Sequence, residues 1–228
     1  THVLESYLLK IRTGEIKKAY DPQTPADWEY LLNMFSLAEE QQLPLILFGD
    51  TEGADCKQAS EDAGQLTKLA EVIKATNRYP YPVISINIGM KGSGGGETLI
   101  APLDAAADLE NAMSFVAAAS VMYWIETGRW IDPSSPPEKQ EELRRFVLQL
   151  RDATAEVRRD KLFQIDEIIL EGPGGAHLHP EFVSTNLRSW IVPTLKMLKQ
   201  LDQEILRSRR RERQQRARQV GTVPNLQV

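Results

Sequence analysis

LPLILFGDTEGADCKQASEDAG, residues 43–64, and PVISINIGMKGSGG, residues 82–95, decide the fold. Each opens as a short run of branched apolar residues and breaks into a glycine-rich turn. Leu43–Gly49 and Pro82–Gly89 are too apolar for half-exposed strands, so both are expected as strands buried on two faces. Between them, Glu61–Asn77 places Leu66, Leu69, Ala70 and Ile73 on one helical face. Strand, helix and strand over this length predict a parallel pair joined by a right-handed crossover. Backbone N–H groups at turns that close such strands can hold an oxyanion without a catalytic side chain.

Upstream, Thr24-Pro25 is a helix start, with Thr as cap and Pro at the first helical position; Trp28, Leu31, Leu32, Phe35 and Ala38 follow at helical spacing. Downstream, Ala105–Trp124 is compatible with helix or strand. Residues 132–137 (DPSSPP) form a loop. Glu138–Lys161 is an amphipathic helix with Leu143, Phe146, Val147, Leu150 and Val157 inward, and QIDEIIL (164–170) contains a strand. Gly172–Pro180 is a second loop. Leu187–Leu206 is a long helix, expected to kink or break near Pro193. There is no internal repeat. The expected organisation is one domain over residues 1–206, with its C-terminal helix in 180–206. Beyond it lies a basic tail, 207–228, expected to lack fixed structure.

The chain has 228 residues, room for one large domain or two small ones. A composition of 42% hydrophobic and 26% charged residues is that of an ordinary globular protein. A net charge of −5 gives no global attraction to nucleic acid or an anionic membrane. No apolar run approaches a bilayer span, so no membrane helix is expected. The first residues, THVLESYLLKIRTGE, show no basic region followed by an apolar core, so no secretory signal is expected there. They also lack Met, so an upstream segment is expected. With Cys56 alone, neither an internal disulfide nor a cysteine-based zinc site can form within the chain, which suits a reducing compartment.

Several residues invite chemical roles. His177 and His179 offer a metal pair or an acid–base group, but with few carboxylates nearby they suit a structural loop better, and no metal is expected. Cys56 has no local basic cluster to activate it. The seven arginines of 207–218 are not interleaved with aromatics, so a solvated helix end is favoured over nucleic-acid binding.

Two distant motifs then narrow the choice. Asp50-Thr51-Glu52-Gly53-Ala54, Glu61, Gly64-Gln65 and Ile88-Gly89-Met90-Lys91-Gly92-Ser93-Gly94-Gly95 form one group. Ile165-Asp166-Glu167-Ile168-Ile169, Glu171, Gly174-Gly175-Ala176-His177 and Pro180-Glu181 form the other. In this order and spacing they resemble the α subunit of the acetyl-CoA carboxylase carboxyltransferase, over roughly Pro25 to Arg216. The resemblance implies an α/β, crotonase-like (ClpP/crotonase) fold with ββα-type units and long C-terminal helices.

It also implies an activity, the transfer of a carboxyl group from carboxybiotin to acetyl-CoA to make malonyl-CoA for fatty acid biosynthesis. Carboxybiotin, a substrate carried on biotin carboxyl carrier protein, enters a cleft between α and β subunits and releases CO2. Main-chain N–H groups hold the biotin enolate, and the carbanion of the acyl-CoA attacks CO2. The implied donors are the backbones of Gly94 and Gly95, with Gly53, Lys91, Gly92 and Ser93 in substrate binding. No cofactor is bound directly. The implied partners are a β-type subunit, the carrier protein and an acyl-CoA, in a homo- or hetero-oligomer, in the cytoplasm or a plastid stroma.

The chain departs from the family pattern in four places. Glu52 replaces a proline, Lys91 a small residue, and Gly96 an alanine, and Leu99–Trp124 lacks the Pro-Glu-Gly turn that precedes a helix ending in Trp. These changes favour an alternative, a catalytically degenerate paralogue acting as a binding, scaffold or regulatory subunit. The retained Gly-Ser-Gly-Gly and Gly-Gly-Ala-His runs favour the enzyme. A third possibility, another acyl-CoA enzyme of the crotonase group, needs an acid or base such as Asp55 or Glu97 near the glycine turns.

Overall fold

The computed structural model describes residues 23–51, 53–55, 57–91, 103–114, 123–124, 126–131, 135–149, 155–160 and 164–221. Among these the chain runs α1 (Pro25–Glu40), β1 (Leu45–Thr51), α2 (Gln58–Asp62), α3 (Gln65–Arg78), β2 (Val83–Lys91), β3 (Ala105–Leu109), β4 (Met113–Ser114), α4 (Pro137–Gln149), α5 (Ala155–Asp160), β5 (Glu167–Ile169), α6 (Pro180–Leu198) and α7 (Gln203–Gly221). The strands form a parallel sheet in the order β1-β2-β3-β5, and β4 pairs with the end of β2. The expected parallel pairing of β1 with β2 is present, from Leu45 opposite Val83 to Gly49 opposite Asn87. Ala105–Trp124, open between helix and strand, resolves into β3 and β4 before leaving the described residues. β3 is buried along its whole length, as a central parallel strand must be.

Helices cover both faces of the sheet at β2 and β3, but the two-faced burial expected of Leu43–Gly49 is corrected: β1 is the first strand in the order, Leu45 and Leu47 pack inward, and Ile46 and Phe48 are exposed on the other face. Phe35, Ala38 and Tyr79 pack with Val83, Ala106, Ala155 and Ile165 on one side. Ile86, Ala107, Leu109 and Ile169 meet Val183 and Leu187 of α6 on the other, and Ile84 and Ala105 meet Leu198 and Leu206. Trp28, Leu69 and Val72 close α1 against α3. α1 starts at Pro25 as expected, with the Asp27 carboxylate accepting the Thr24 N–H at 2.8 Å. It ends by reversal: Gln42 N–H donates to Glu39 O at 3.0 Å and Leu43 N–H to Ala38 O at 2.9 Å, with Gln42 at φ +56° in a place that favours glycine.

Two expectations at the C-terminus are corrected. The helix expected over Leu187–Leu206 does not break at Pro193: α6 continues through it to Leu198, and the chain turns at 199–202, where Asp202 Oδ1 accepts Ile205 N–H at 2.9 Å and opens α7. The burial of Leu187 and Leu198 on either side holds the helix across the missing N–H of Pro193. The basic stretch expected as a tail from 207 is helical to Gly221. Its Arg210 is fully buried. Five hydrogen bonds hold it, two to the Asp104 carboxylate and three to the carbonyls of Thr76, Tyr79 and Tyr81. Arg213 pairs with Asp166 at 2.7 Å. Thr76 lies four residues before Pro80, which has no N–H to give it, so Arg210 satisfies a carbonyl at the end of α3 and sets a cation at the negative end of its dipole. Tyr79 beside it donates its hydroxyl to Leu43 O at 2.7 Å, and burial pushes that hydroxyl up to about 12.

Candidate active site at the carboxyl edge of the sheet

Parallel strands bring their carboxyl ends to one edge, where ligands of open α/β sheets bind. Here that edge gathers the turn after β1, the exit of β2, the end of β3 and the loop after β5. Gly53 is buried at φ +117°, a conformation that suits glycine. Its carbonyl accepts Gln23 N–H at 2.7 Å, while Gln23 O takes Asp55 N–H at 2.8 Å and the Gln65 carboxamide at 2.5 Å. Gln65 is fully buried, so the first residue of α3 latches the β1 turn to the chain entering α1.

Asp55, weighed as an acid or base near Gly53, has a structural task. Its carboxylate accepts the Ser60 hydroxyl at 2.6 Å and the Lys57 N–H at 3.4 Å, and so closes the start of α2.

β2 leaves the sheet between two neighbours. Lys91, its last residue, pairs with Thr51 of β1 and Ser114 of β4. The structure therefore brings the Gly53 turn and Lys91 to the same edge, two of the residues picked from sequence. Gly92, Ser93, Gly94 and Gly95 lie outside the described residues, as do Glu52, Cys56, Gly96 and Glu97. Asn87 Oδ1 accepts Gly89 N–H at 3.3 Å, and the carboxylate of Asp50 fills the space that a Cβ on Gly89 would need. Asn87 was not picked from sequence, although a carboxamide inside ISINIG was the visible signal.

The loop after β5 is tied by one buried carboxylate. Glu171 accepts Asn111 N–H at 2.9 Å and Ala176 N–H at 2.7 Å, joining the end of β3 to the Gly-Gly-Ala-His turn. His179 Nε2 is 2.8 Å from Pro173 O, and its ring packs over Gly172. These contacts give the turn its structural role. Among the described residues, no group of three or more His, Cys, Asp or Glu is placed to hold a metal ion.

A further polar group flanks the edge. Asp108, near the end of β3, forms a buried ion pair with Arg158 at 3.0 Å. In the stretch between β4 and α4, the Tyr123 hydroxyl donates to Glu142 of α4, and Arg129 donates to both. The hydrogen bond to Glu142 raises the Tyr123 hydroxyl, and the same bond holds Glu142 below the ordinary carboxylate range. Among the described residues, no helix is long and apolar enough to cross a membrane.

A family model described as acetyl co-enzyme A carboxylase carboxyltransferase-like matches residues 12–221. The acetyl-coenzyme A carboxylase carboxyl transferase subunit alpha of Carboxydothermus hydrogenoformans is 32% identical over 198 residues, which are 87% of this chain and 56% of that protein. The protein of the same name from Bartonella tribocorum is 30% identical over 211 residues, 86% of this chain and 61% of the relative. The chain thus spans less than two thirds of the length of these curated relatives. A solved Pseudomonas malonate decarboxylase hetero-tetramer in complex with coenzyme A contains a chain that superposes with a TM-score of 0.58 at 16% identity, over 87% of this chain and 77% of that one. That likeness identifies the fold as crotonase-like.

Proposed function

The chain belongs to the acetyl-CoA carboxylase carboxyltransferase-like family, and on that footing we propose that it is an α-type carboxyltransferase subunit, moving a carboxyl group from carboxybiotin to acetyl-CoA. The match over residues 12–221 carries the proposal. The convergence of the Gly53 turn with the exit of β2 supports it. In this reading the main-chain N–H groups of Gly94 and Gly95 stabilise the biotin enolate. Gly53, Lys91, Gly92 and Ser93 shape the substrate's seat. A donor of this kind lowers the barrier by about 3–4 kcal/mol. The biotinylated carrier protein brings carboxybiotin as substrate, and a β-type subunit holds the acyl-CoA thioester.

The test is carboxyl exchange between malonyl-CoA and biotin, measured with the chain and its cognate β-type subunit. Exchange is expected, and Gly95→Val should abolish it while leaving the circular dichroism spectrum and melting temperature in place, because a branched side chain blocks approach to the amide. No exchange by the intact complex would assign the chain to a non-catalytic binding or regulatory role. Full activity in Gly95→Val would remove Gly95 from the site.

A further inference from the structure

The pairing of β1 with β2 is regular except at its end. Gly49 lies opposite Asn87 and Thr51 opposite Lys91, so two steps along β1 match four along β2. The surplus residues form an irregularity of the bulge type, which bends a strand and re-aims the residues beyond it. Asn87 stands at its start and is fully buried. Its Oδ1 gives the Gly89 N–H an acceptor where the ladder is interrupted. On β3 its cross-strand neighbour is Asp108, itself fixed by Arg158. On the β1 side the Asp50 carboxylate lies against Gly89, in the space that a Cβ there would take.

Asparagine is a poor strand former, and a carboxamide costs free energy when buried unless it is hydrogen-bonded. A residue that breaks a local preference in the centre of a sheet, beside a candidate site, points to a task in that site. We propose that Asn87 is a positioning residue: by accepting the Gly89 N–H it shapes the bulge that directs the chain leaving β2. The inference rests on the proposed function, which assigns the oxyanion donors to Gly94 and Gly95, a few residues downstream. Asn87 touches no reacting atom and acts through Gly89.

Asn87→Thr and Asn87→Val separate this role from packing. The two replacements have similar volume and both suit a strand, but only threonine keeps an oxygen within reach of Gly89 N–H. Each variant is assayed with the β-type subunit for carboxyl exchange, and hydrogen exchange is followed over residues 86–91. Asn87→Val is expected to lower kcat by about 10–100-fold with KM nearly unchanged, and to expose the Gly89 amide to exchange. Asn87→Thr should restore most of both. Unchanged kcat in Asn87→Val, or equal behaviour of the two variants, overturns the inference. If the wild-type complex performs no exchange reaction, the proposed function falls, and the Gly89 amide alone decides: faster exchange in Asn87→Val than in Asn87→Thr upholds the inference, and equal protection overturns it. Should Asn87→Val not fold, Asn87→Ser against Asn87→Ala carries the same contrast.

Discussion

Arg210→Met should unfold this protein far more readily than a surface substitution would. Methionine fills much of the space but donates nothing. Two hydrogen bonds to Asp104 and three to the carbonyls of Thr76, Tyr79 and Tyr81 disappear together. Asp104 is fully buried and, among the described residues, would keep the Val83 N–H at 2.7 Å and the more distant charge of Arg209. Breaking a buried ion pair from one side costs about 3–5 kcal/mol, because the remaining charge has nowhere to go. That is a large share of the roughly 5–15 kcal/mol that holds a domain folded. With a urea dependence of about 2–3 kcal/mol per molar, the unfolding midpoint should fall by about 1–2 M.

The loss should also depend on pH. Burial holds the Asp104 carboxyl above its ordinary 3.8, and the hydrogen bonds and charge of Arg210 pull it back down. Without Arg210 the carboxyl rises further. A raised carboxyl keeps in the native state a proton that the unfolded chain has released, so stability falls as pH climbs from 3.8 through the folded value. The gap between variant and wild type should therefore widen from acid pH towards neutral. Arg210→Met with Asp104→Asn should recover part of the loss at neutral pH, since the stranded charge is gone. A midpoint shift below about 0.3 M, a gap that narrows as pH rises, or a double variant no better than the single would refute this account.

Gln42→Gly should stabilise the chain by about 0.5–1 kcal/mol, the relief of left-handed strain less the added freedom of the unfolded state; a lowered melting temperature would show that the Gln42 side chain matters more than its backbone. Glu171→Gln swaps one carboxylate oxygen for a donor facing an N–H, so either Asn111 or Ala176 loses its acceptor, at a cost of about 1–3 kcal/mol. Hydrogen exchange over residues 172–179 should speed up, and unchanged protection there would assign the loop's order to other contacts.

The apolar runs at 43–49 and 82–89 made the parallel pair legible, but only the second is buried on both faces; in the first, Ile46 and Phe48 stay exposed, and no local signal shows which strand lies at the sheet's edge. The helix start at Thr24-Pro25 was legible for an equally local reason. Ala105–Leu109 was not: alanine fits helix and strand alike, and only the neighbours Val83–Asn87 and Glu167–Ile169 make it a strand. The C-terminus misled because charge density reads as solvation. Nothing local tells Arg210 from Arg207 or Arg211, and Asp104, which makes the difference, is remote in sequence. At the candidate site, glycine spacing pointed to the two turns. The braces behind them, Asn87, Gln65 and Glu171, could not be assigned, since each partner is an amide or carbonyl that every sequence offers.

The clasp between Asp104 and Arg210 spans 106 positions of chain. During translation, at roughly 5–20 residues per second, the ribosome works for about 5–20 s after adding the acid before it adds the base. Through that interval the nascent sheet carries an aspartate without its cation at the entry to its central strands. Chaperone contact with the growing polypeptide should accordingly peak before α7 emerges.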